Sequence, residues 1–378
     1  MQDRKISFSG SMVLPLAAWF LKSARDLPWR KTKDPYRIWV SEIMLQQTRV
    51  EAVKAYYERF LQALPDIPHL AECPEDELLK LWEGLGYYSR VRNLQKAARQ
   101  ILERHGGAFP GEEQEILDLP GIGSYTCGAV GSIAFGLPLP AVDGNVLRVC
   151  ARLSGSFDDI GSAKVKKDLE VQLRSVLADL PESVSPGTLN QALMELGALV
   201  CVPNGAPKCG DCPLADRCSA HLEQLTEEIP VKKKTVRHRE EERTVLIIRD
   251  GARTAIRKRP PKGLLAGVYE FPNLAGRLTS TAAREFAADL GFRVESVRPL
   301  PDAKHVFSHV TWKMAGYEIR IAPAEDTKSL LFAERSEMEE KYPIPSAFAA
   351  YTKELAVRIG KEGKQREDED TDRDHSVL

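Results

Sequence analysis

Four cysteines crowd into one stretch, CVPNGAPKCGDCPLADRC, at Cys201, Cys209, Cys212 and Cys218. Their spacing is C-x7-C-x2-C-x5-C. Zinc sites usually come as two C-x2-C knuckles well apart in sequence. Here one such pair has a single cysteine on either side, and a loop this compact can wrap one cubane, each thiolate taking one iron. The spacing favours a [4Fe–4S] cluster, with zinc as the alternative. Its place after a helical pattern suggests a structural role, with redox sensing still open. Cys73, Cys127 and Cys150 are scattered in apolar or helical contexts and read as buried thiols. Residues 1–11 are polar and lack the layout of a secretory leader, so a disulfide framework is not expected.

Two carboxylates stand in settings that could tune them. Glu42 lies in the mostly apolar run WVSEIMLQQ, where burial would raise its pKa and suit it to general acid work near neutrality. A place on the wet face of the helix is its plainer reading. Asp143, in PAVDGN, directly precedes a helical pattern and reads first as an N-cap. A cap also fixes a carboxylate rigidly. Together an acid and an anion are what hydrolysis of a glycosidic bond requires: one protonates the leaving group, the other supports the oxocarbenium-like sugar.

A third motif, Leu119-Pro120-Gly121-Ile122-Gly123, joins two helical patterns. Its glycines permit torsions other residues resist and would leave amides at a helix N-terminus uncovered for a phosphate. An ordinary helix–helix turn is the alternative, and the cysteine cluster downstream favours a helix-hairpin-helix that grips DNA.

These groups need a scaffold, and the first 220 residues or so predict helices: 12–24, a helix capped by Asp34-Pro35, a pattern through Val50, Val53, Tyr57, Phe60 and Leu61, then 75–82, 89–104, 124–135, 145–153, 163–177 and 188–200. Residues 222–240 are charged and read as a solvated linker, direct phosphate contact being the lesser reading. From about Arg243 the pattern becomes α+β: strands at 244–248 and 253–258 across Asp250-Gly251, a helix at 282–290, strands at 292–297 and 312–321, and a closing helix at 346–357. The charged stretch 361–378 is expected to be disordered. The expected domains are 1–221, a linker 222–240, a second domain 241–360 and the tail.

Composition is that of an ordinary globular protein, with 43% hydrophobic and 28% charged residues. The formal net charge of −1 leaves any nucleic-acid surface to local clustering of Lys and Arg. No apolar run approaches the ~20 residues of a membrane span, so a cytoplasmic protein without membrane contact is expected.

Taken together, LPWR (27–30), SEIMLQQT (41–48), GLGYYSRVRNL (84–94), LPGIGSYT (119–126), VDGNV (142–146), the cysteine loop and FSH (307–309) resemble the MutY family of adenine DNA glycosylases, within the endonuclease III superfamily. The likeness runs from about Leu14 to Val357. It implies an all-helical helix-hairpin-helix glycosylase domain with an iron–sulfur loop, followed by a Nudix-like α+β domain.

The resemblance also implies roles. Glu42 would protonate a flipped-out adenine and then help activate water. Asp143 would stabilise the sugar cation, as an anion or through a transient covalent adduct, with Tyr125 and Asn145 in support. Gln47 and Tyr87 would wedge into the base stack, Thr48 and Leu85 would lie near the partner base, and Gly121 and Gly123 would form the phosphate-binding hairpin. Arg25, Leu27, Trp29, Arg30, Gln191 and Met194 would form the adenine pocket. Phe307, Ser308 and His309 would recognise 8-oxoguanine, Ser308 by a hydrogen bond. The second domain resembles a Nudix fold without its chemistry: in REFAADLG (284–291), Ala288 replaces an expected Glu and the Gly-rich half of the motif is missing, so magnesium-assisted pyrophosphate hydrolysis is not expected.

The family commonly has six residues between the first two cysteines, and this chain has seven. Bifunctional relatives of the endonuclease III type carry Lys where this chain has Tyr125, and a phenol forms no Schiff base. The expectation is therefore a monomeric, monofunctional glycosylase. It would excise adenine opposite 8-oxoguanine or guanine in duplex DNA, in the cytoplasm and, if bacterial, at the nucleoid. The alternatives are a bifunctional endonuclease III-like pyrimidine glycosylase/lyase, opposed by Tyr125 and the FSH domain, and a non-catalytic iron–sulfur sensor, opposed by the carboxylate pair.

Overall fold

The computed structural model describes residues 4–233, 238–327 and 329–360. Lys234 and Arg237 of the expected linker and the whole expected tail, 361–378, lie outside the described residues. The chain divides into two compact units, Met1–Glu72 with Asn93–Lys234, and Cys73–Arg92 with Thr235–Leu378.

Helices are α1 (Val13–Ser23), α2 (Pro35–Leu45), α3 (Val50–Ala63), α4 (Ile67–Glu72), α5 (Glu75–Leu81), α6 (Ser89–His105), α7 (Glu113–Leu117), α8 (Ser124–Ala134), α9 (Gly144–Ser154), α10 (Ala163–Ala178), α11 (Pro186–Leu199) and α12 (Ser219–Leu222). Of these, α5 and the start of α6 belong to the second unit. The expected cap of α2 is present: the Asp34 side chain accepts from the Tyr36 amide, with Pro35 in the first turn. In the first unit α11 packs against α1, α8 and α9, and α2 packs against α8. Leu16, Phe20, Val146, Val149, Leu189 and Leu193 meet in its core, fully or nearly buried.

The second unit is built on a sheet of β1 (Arg239–Asp250), β2 (Arg253–Lys258), β3 (Tyr269–Glu270), β4 (Asn273–Ala275), β5 (Val294–Val306), β6 (Val310–Ile321) and β7 (Leu331–Ala333). Its main path runs β3-β2-β1-β6-β5, with β1 and β6 parallel and the other neighbours antiparallel. Helix α13 (Ser280–Asp289) covers one face, where Ala283 and Ala287 join Leu246, Ile248 and Ile319. Helices α14 (Arg335–Glu340) and α15 (Ala349–Glu354) cover the other, where Met338 and Tyr351 join Val245, Ile247 and Trp312. Strand β1 thus buries side chains on both faces, which is why 245–248 reads as an unbroken apolar run.

Several boundaries differ from expectation for identifiable reasons. Strand β1 begins at Arg239 because it pairs in register with β6 from Val310 onward. Strand β5 runs through Pro299 and Pro301, residues that argue against a strand; it is an edge strand with a register shift between Leu300 and Ala303, where missing amides are tolerated. The closing helix is shorter than 346–357. A 3-10 turn, Ser346–Phe348, precedes α15, and Ala356 turns left-handed with φ 52°.

Candidate active site

The carboxylate of Glu42 is held on the buried face of α2, 6% exposed. Tyr125, in the first turn of α8, donates its hydroxyl to Glu42 Oε2 at 2.7 Å and lies 3.3 Å from the Met194 sulfur on α11. Burial pushes Glu42 up to about 7; the Tyr125 hydrogen bond opposes this and the negative charge of Asp143 adds to it. The wet-face reading of Glu42 fails on its burial. Burial likewise raises Tyr125 well above the ordinary phenol range, with Glu42 reinforcing the effect.

Asp143 is the N-cap of α9, as expected: one oxygen accepts from the Val146 amide at 2.8 Å, the other from the Asn145 side chain at 2.7 Å. Burial moves its carboxyl upward against these two hydrogen bonds. The capping contacts thus hold this carboxylate rigidly at the edge of the cavity it shares with Glu42. Gly128 lets this loop approach α8: a Cβ there would stand 2.0 Å from the Pro140 carbonyl oxygen. That close approach brings the residues preceding Asp143 against the helix that carries Tyr125.

A cavity of about 220 Å³ gathers Glu42, Tyr125, Asp143 and Asn145 with Arg25, Leu27, Trp29, Arg30, Thr48, Gln191 and Met194. Glu195, which no motif in the sequence singles out, lines the same cavity. It is 1% exposed and takes bidentate contacts from both Arg25 and Arg30, at 2.6–2.9 Å. Burial pushes its carboxyl up, and the two guanidiniums overcome this and hold it at about 2. The one local signal is a glutamate in the apolar pattern of α11, and its partners Arg25 and Arg30 stand five residues apart and far from it in sequence.

The hairpin follows α7. Gly121 has φ 81°, and a Cβ there would meet Asn93 at 2.7 Å, so this position needs glycine twice over. Gly123 differs from expectation: its φ of −108° is open to any residue. It is the N-cap of α8, where no side chain caps the helix. Gln47, just past α2, is exposed with φ 58°, and Tyr87 has φ 46°. Among the described residues only five non-glycine positions have positive φ, and the two expected wedge residues are two of them.

In the second unit Phe307, Ser308 and His309 form the turn between β5 and β6, closed by Phe307 N to Val310 O at 2.8 Å. Phe307 packs edge-on against Trp312, ring centroids 4.9 Å apart. A cavity of about 620 Å³ brings this turn together with Leu85 and Tyr87. The Tyr87 and Ser308 hydroxyls are hydrogen-bonded there.

All four clustered cysteines line one further cavity. Beside it Arg152, 5% exposed, hydrogen-bonds to the Cys201 sulfur at 3.3 Å and otherwise to the carbonyls of Val202 and Ile229. Among the described residues no carboxylate pairs with it. A buried cation needs an anion, and the cysteine sulfurs are the groups beside it that could carry negative charge.

Residues 40–175 match the model of HhH-GPD superfamily base excision DNA repair proteins, and 243–354 match that of the NUDIX domain. Fold and site thus define a base-excision repair protein with a Nudix-type second domain. The human adenine DNA glycosylase is 30% identical over 418 residues, spanning 94% of this chain and 74% of its own. The rat enzyme of that name is 33% identical over 375 residues, 82% of this chain and 71% of its own. That of Buchnera aphidicola subsp. Acyrthosiphon pisum is 38% identical over 221 residues, 58% and 62%. The chain belongs to the MutY family of adenine DNA glycosylases. Among the described residues no helix is long and apolar enough to cross a membrane.

Proposed function

We propose that this enzyme hydrolyses the N-glycosidic bond of adenine paired with 8-oxoguanine or guanine in duplex DNA, leaving an abasic site in an intact strand. The observation that carries the reading is the cavity where Glu42, held at about 7, faces the same space as Asp143. Protonated Glu42 gives its proton to a ring nitrogen of the extruded adenine, so the base leaves neutral. The Asp143 carboxylate, fixed by Val146 and Asn145, stands by the cationic sugar until water adds. Glu42, now ionised, accepts the proton of that water. Glu195, Arg25 and Arg30 form a polar wall for the base. Tyr125 supplies no amine, so no Schiff base forms and the strand is not cut.

The cavity at Leu85, Tyr87 and the FSH turn supports recognition of the partner base. The uncapped start of α8 supports phosphate docking at Gly121–Gly123. We assign 1–221 to catalysis and 241–360 to recognition, with 73–92 contributed to the recognition unit. Cys201, Cys209, Cys212 and Cys218 would hold a [4Fe–4S] cluster that staples the end of the helical region, its negative charge facing Arg152. About four irons and four sulfides per chain are expected; stoichiometric zinc would replace this assignment.

The test of substrate is chromatography of the released base. Free adenine should appear from an 8-oxoguanine:adenine duplex and, more slowly, from guanine:adenine. Release of a damaged pyrimidine in its place would favour the endonuclease III-like alternative.

A further inference from the structure

The 84–88 loop, which carries Leu85 and Tyr87, follows a buried ion pair that nothing in the chemistry above uses. Glu83 is 4% exposed and pairs with Lys80 at 2.9 Å. Its Oε1 accepts from the Ile344 amide at 2.7 Å and its Oε2 from the Gly360 amide at 3.2 Å. Lys80 donates onward to the carbonyls of Met338 at 3.0 Å and Tyr342 at 3.3 Å. Every one of these partners lies in the C-terminal segment that covers the sheet, and Pro345, Ser346 and Ala347 of that segment line the same cavity as Leu85 and Tyr87. On the other side of the loop, Arg92 donates to the Ala266 carbonyl at 2.6 Å, and Ala266 also lines the cavity. The loop is thus fastened at both ends to walls of the space it helps enclose.

A buried ion pair is a weak device for stability, since an apolar pair of equal volume does as well or better. What directional, charge-assisted hydrogen bonds supply is a fixed position. We propose that Lys80 and Glu83 are positioning residues that set the 84–88 loop against the C-terminal wall of this cavity and thereby fix discrimination between 8-oxoguanine and guanine opposite adenine. They touch neither base nor sugar. Their effect runs through Leu85 and Tyr87, held at the required distance from the FSH turn.

This inference rests on reading that cavity as the site of the partner base, so the full-length wild-type chain is measured first. Equal dissociation constants for 8-oxoguanine:adenine and guanine:adenine duplexes would sink that reading itself. Given discrimination, E83Q leaves one oxygen for three donors. It should lower the preference for 8-oxoguanine about tenfold while the single-turnover rate on guanine:adenine at saturating enzyme stays within about twofold. The variant K80M/E83M replaces the pair by apolar chains that fill the space, and its melting temperature reports whether the unit folds. It should lose preference by a similar factor. Unchanged preference in either variant that melts as wild type overturns the proposal. So does an equal loss on both duplexes, the mark of a merely structural pair.

Discussion

Tyr125 donates its hydroxyl to Glu42 across 2.7 Å, joining the hairpin helix α8 to the apolar helix α2. In the proposed reaction this contact orients the carboxyl of the acid and puts a phenol where an amine would open a different chemistry. It also stabilises the ionised form of Glu42, tempering the upward push of burial, and the balance leaves the group at about 7. An acid there is part protonated and part ionised at neutral pH, as one that must give and then take a proton requires.

The single-turnover rate of base release should therefore be level below about pH 7 and fall above it, toward tenfold per pH unit. E42Q should bind duplex and excise nothing. Stability follows the same sign. The carboxyl is raised from 4.5 to about 7, so its contribution is fully present below 4.5 and is lost as pH rises through about 7. E42Q should accordingly melt higher than wild type at pH 8. A rate that climbs steadily with pH removes Glu42 from the acid role.

Asp143→Asn separates the cap from the charge. Asn caps a helix as well as Asp does but takes the acceptor from the Asn145 side chain, so the melting temperature should fall only modestly. The rate should drop on the order of 10²–10³-fold, the scale of losing one electrostatic stabiliser of a transition state. A rate close to wild type in the folded variant contradicts the role of Asp143 beside the sugar.

Gly128→Ala tests how the carboxylates are brought together. The added methyl would meet the Pro140 carbonyl, a backbone atom that cannot swing aside. Destabilisation of roughly 1–3 kcal/mol is expected, with lost activity at temperatures where the fold persists. Calorimetry alongside rate measurement checks both, and a silent substitution would show that α8 does not need this approach.

Tyr87 and Ser308 share a hydrogen bond, so their removal should not add. Tyr87→Phe and Ser308→Ala should each reduce preference for 8-oxoguanine, and the double variant should resemble the worse single one. Strict additivity in dissociation constants would mean that the two act independently on DNA.

Much of this was legible in the sequence because its signals are local. Asp143 before α9 and Asp34-Pro35 before α2 follow cap chemistry that needs no partner, and the close cysteine spacing brings four sulfurs to one cavity. The missed elements are non-local. Glu195 in the apolar pattern of α11 gives no sign that Arg25 and Arg30, some 170 residues earlier, will close on it. Glu83 lies beside a recognisable loop, yet its partners are amides and carbonyls whose positions depend on the whole second unit. Strand β5 is longer than its sequence suggests, because prolines count against a strand except at a sheet edge, where β5 lies. The glycine at 123 suggests a special torsion, yet the backbone there is one any residue adopts.

The central claim is base removal by hydrolysis without strand cutting, and gel analysis of an end-labelled duplex with one 8-oxoguanine:adenine pair tests it most directly. After incubation with the full-length chain, the account predicts an intact labelled strand, cut at the adenine only once alkali is added. Strand cleavage without alkali, or a borohydride-trapped covalent adduct through a lysine, would contradict it.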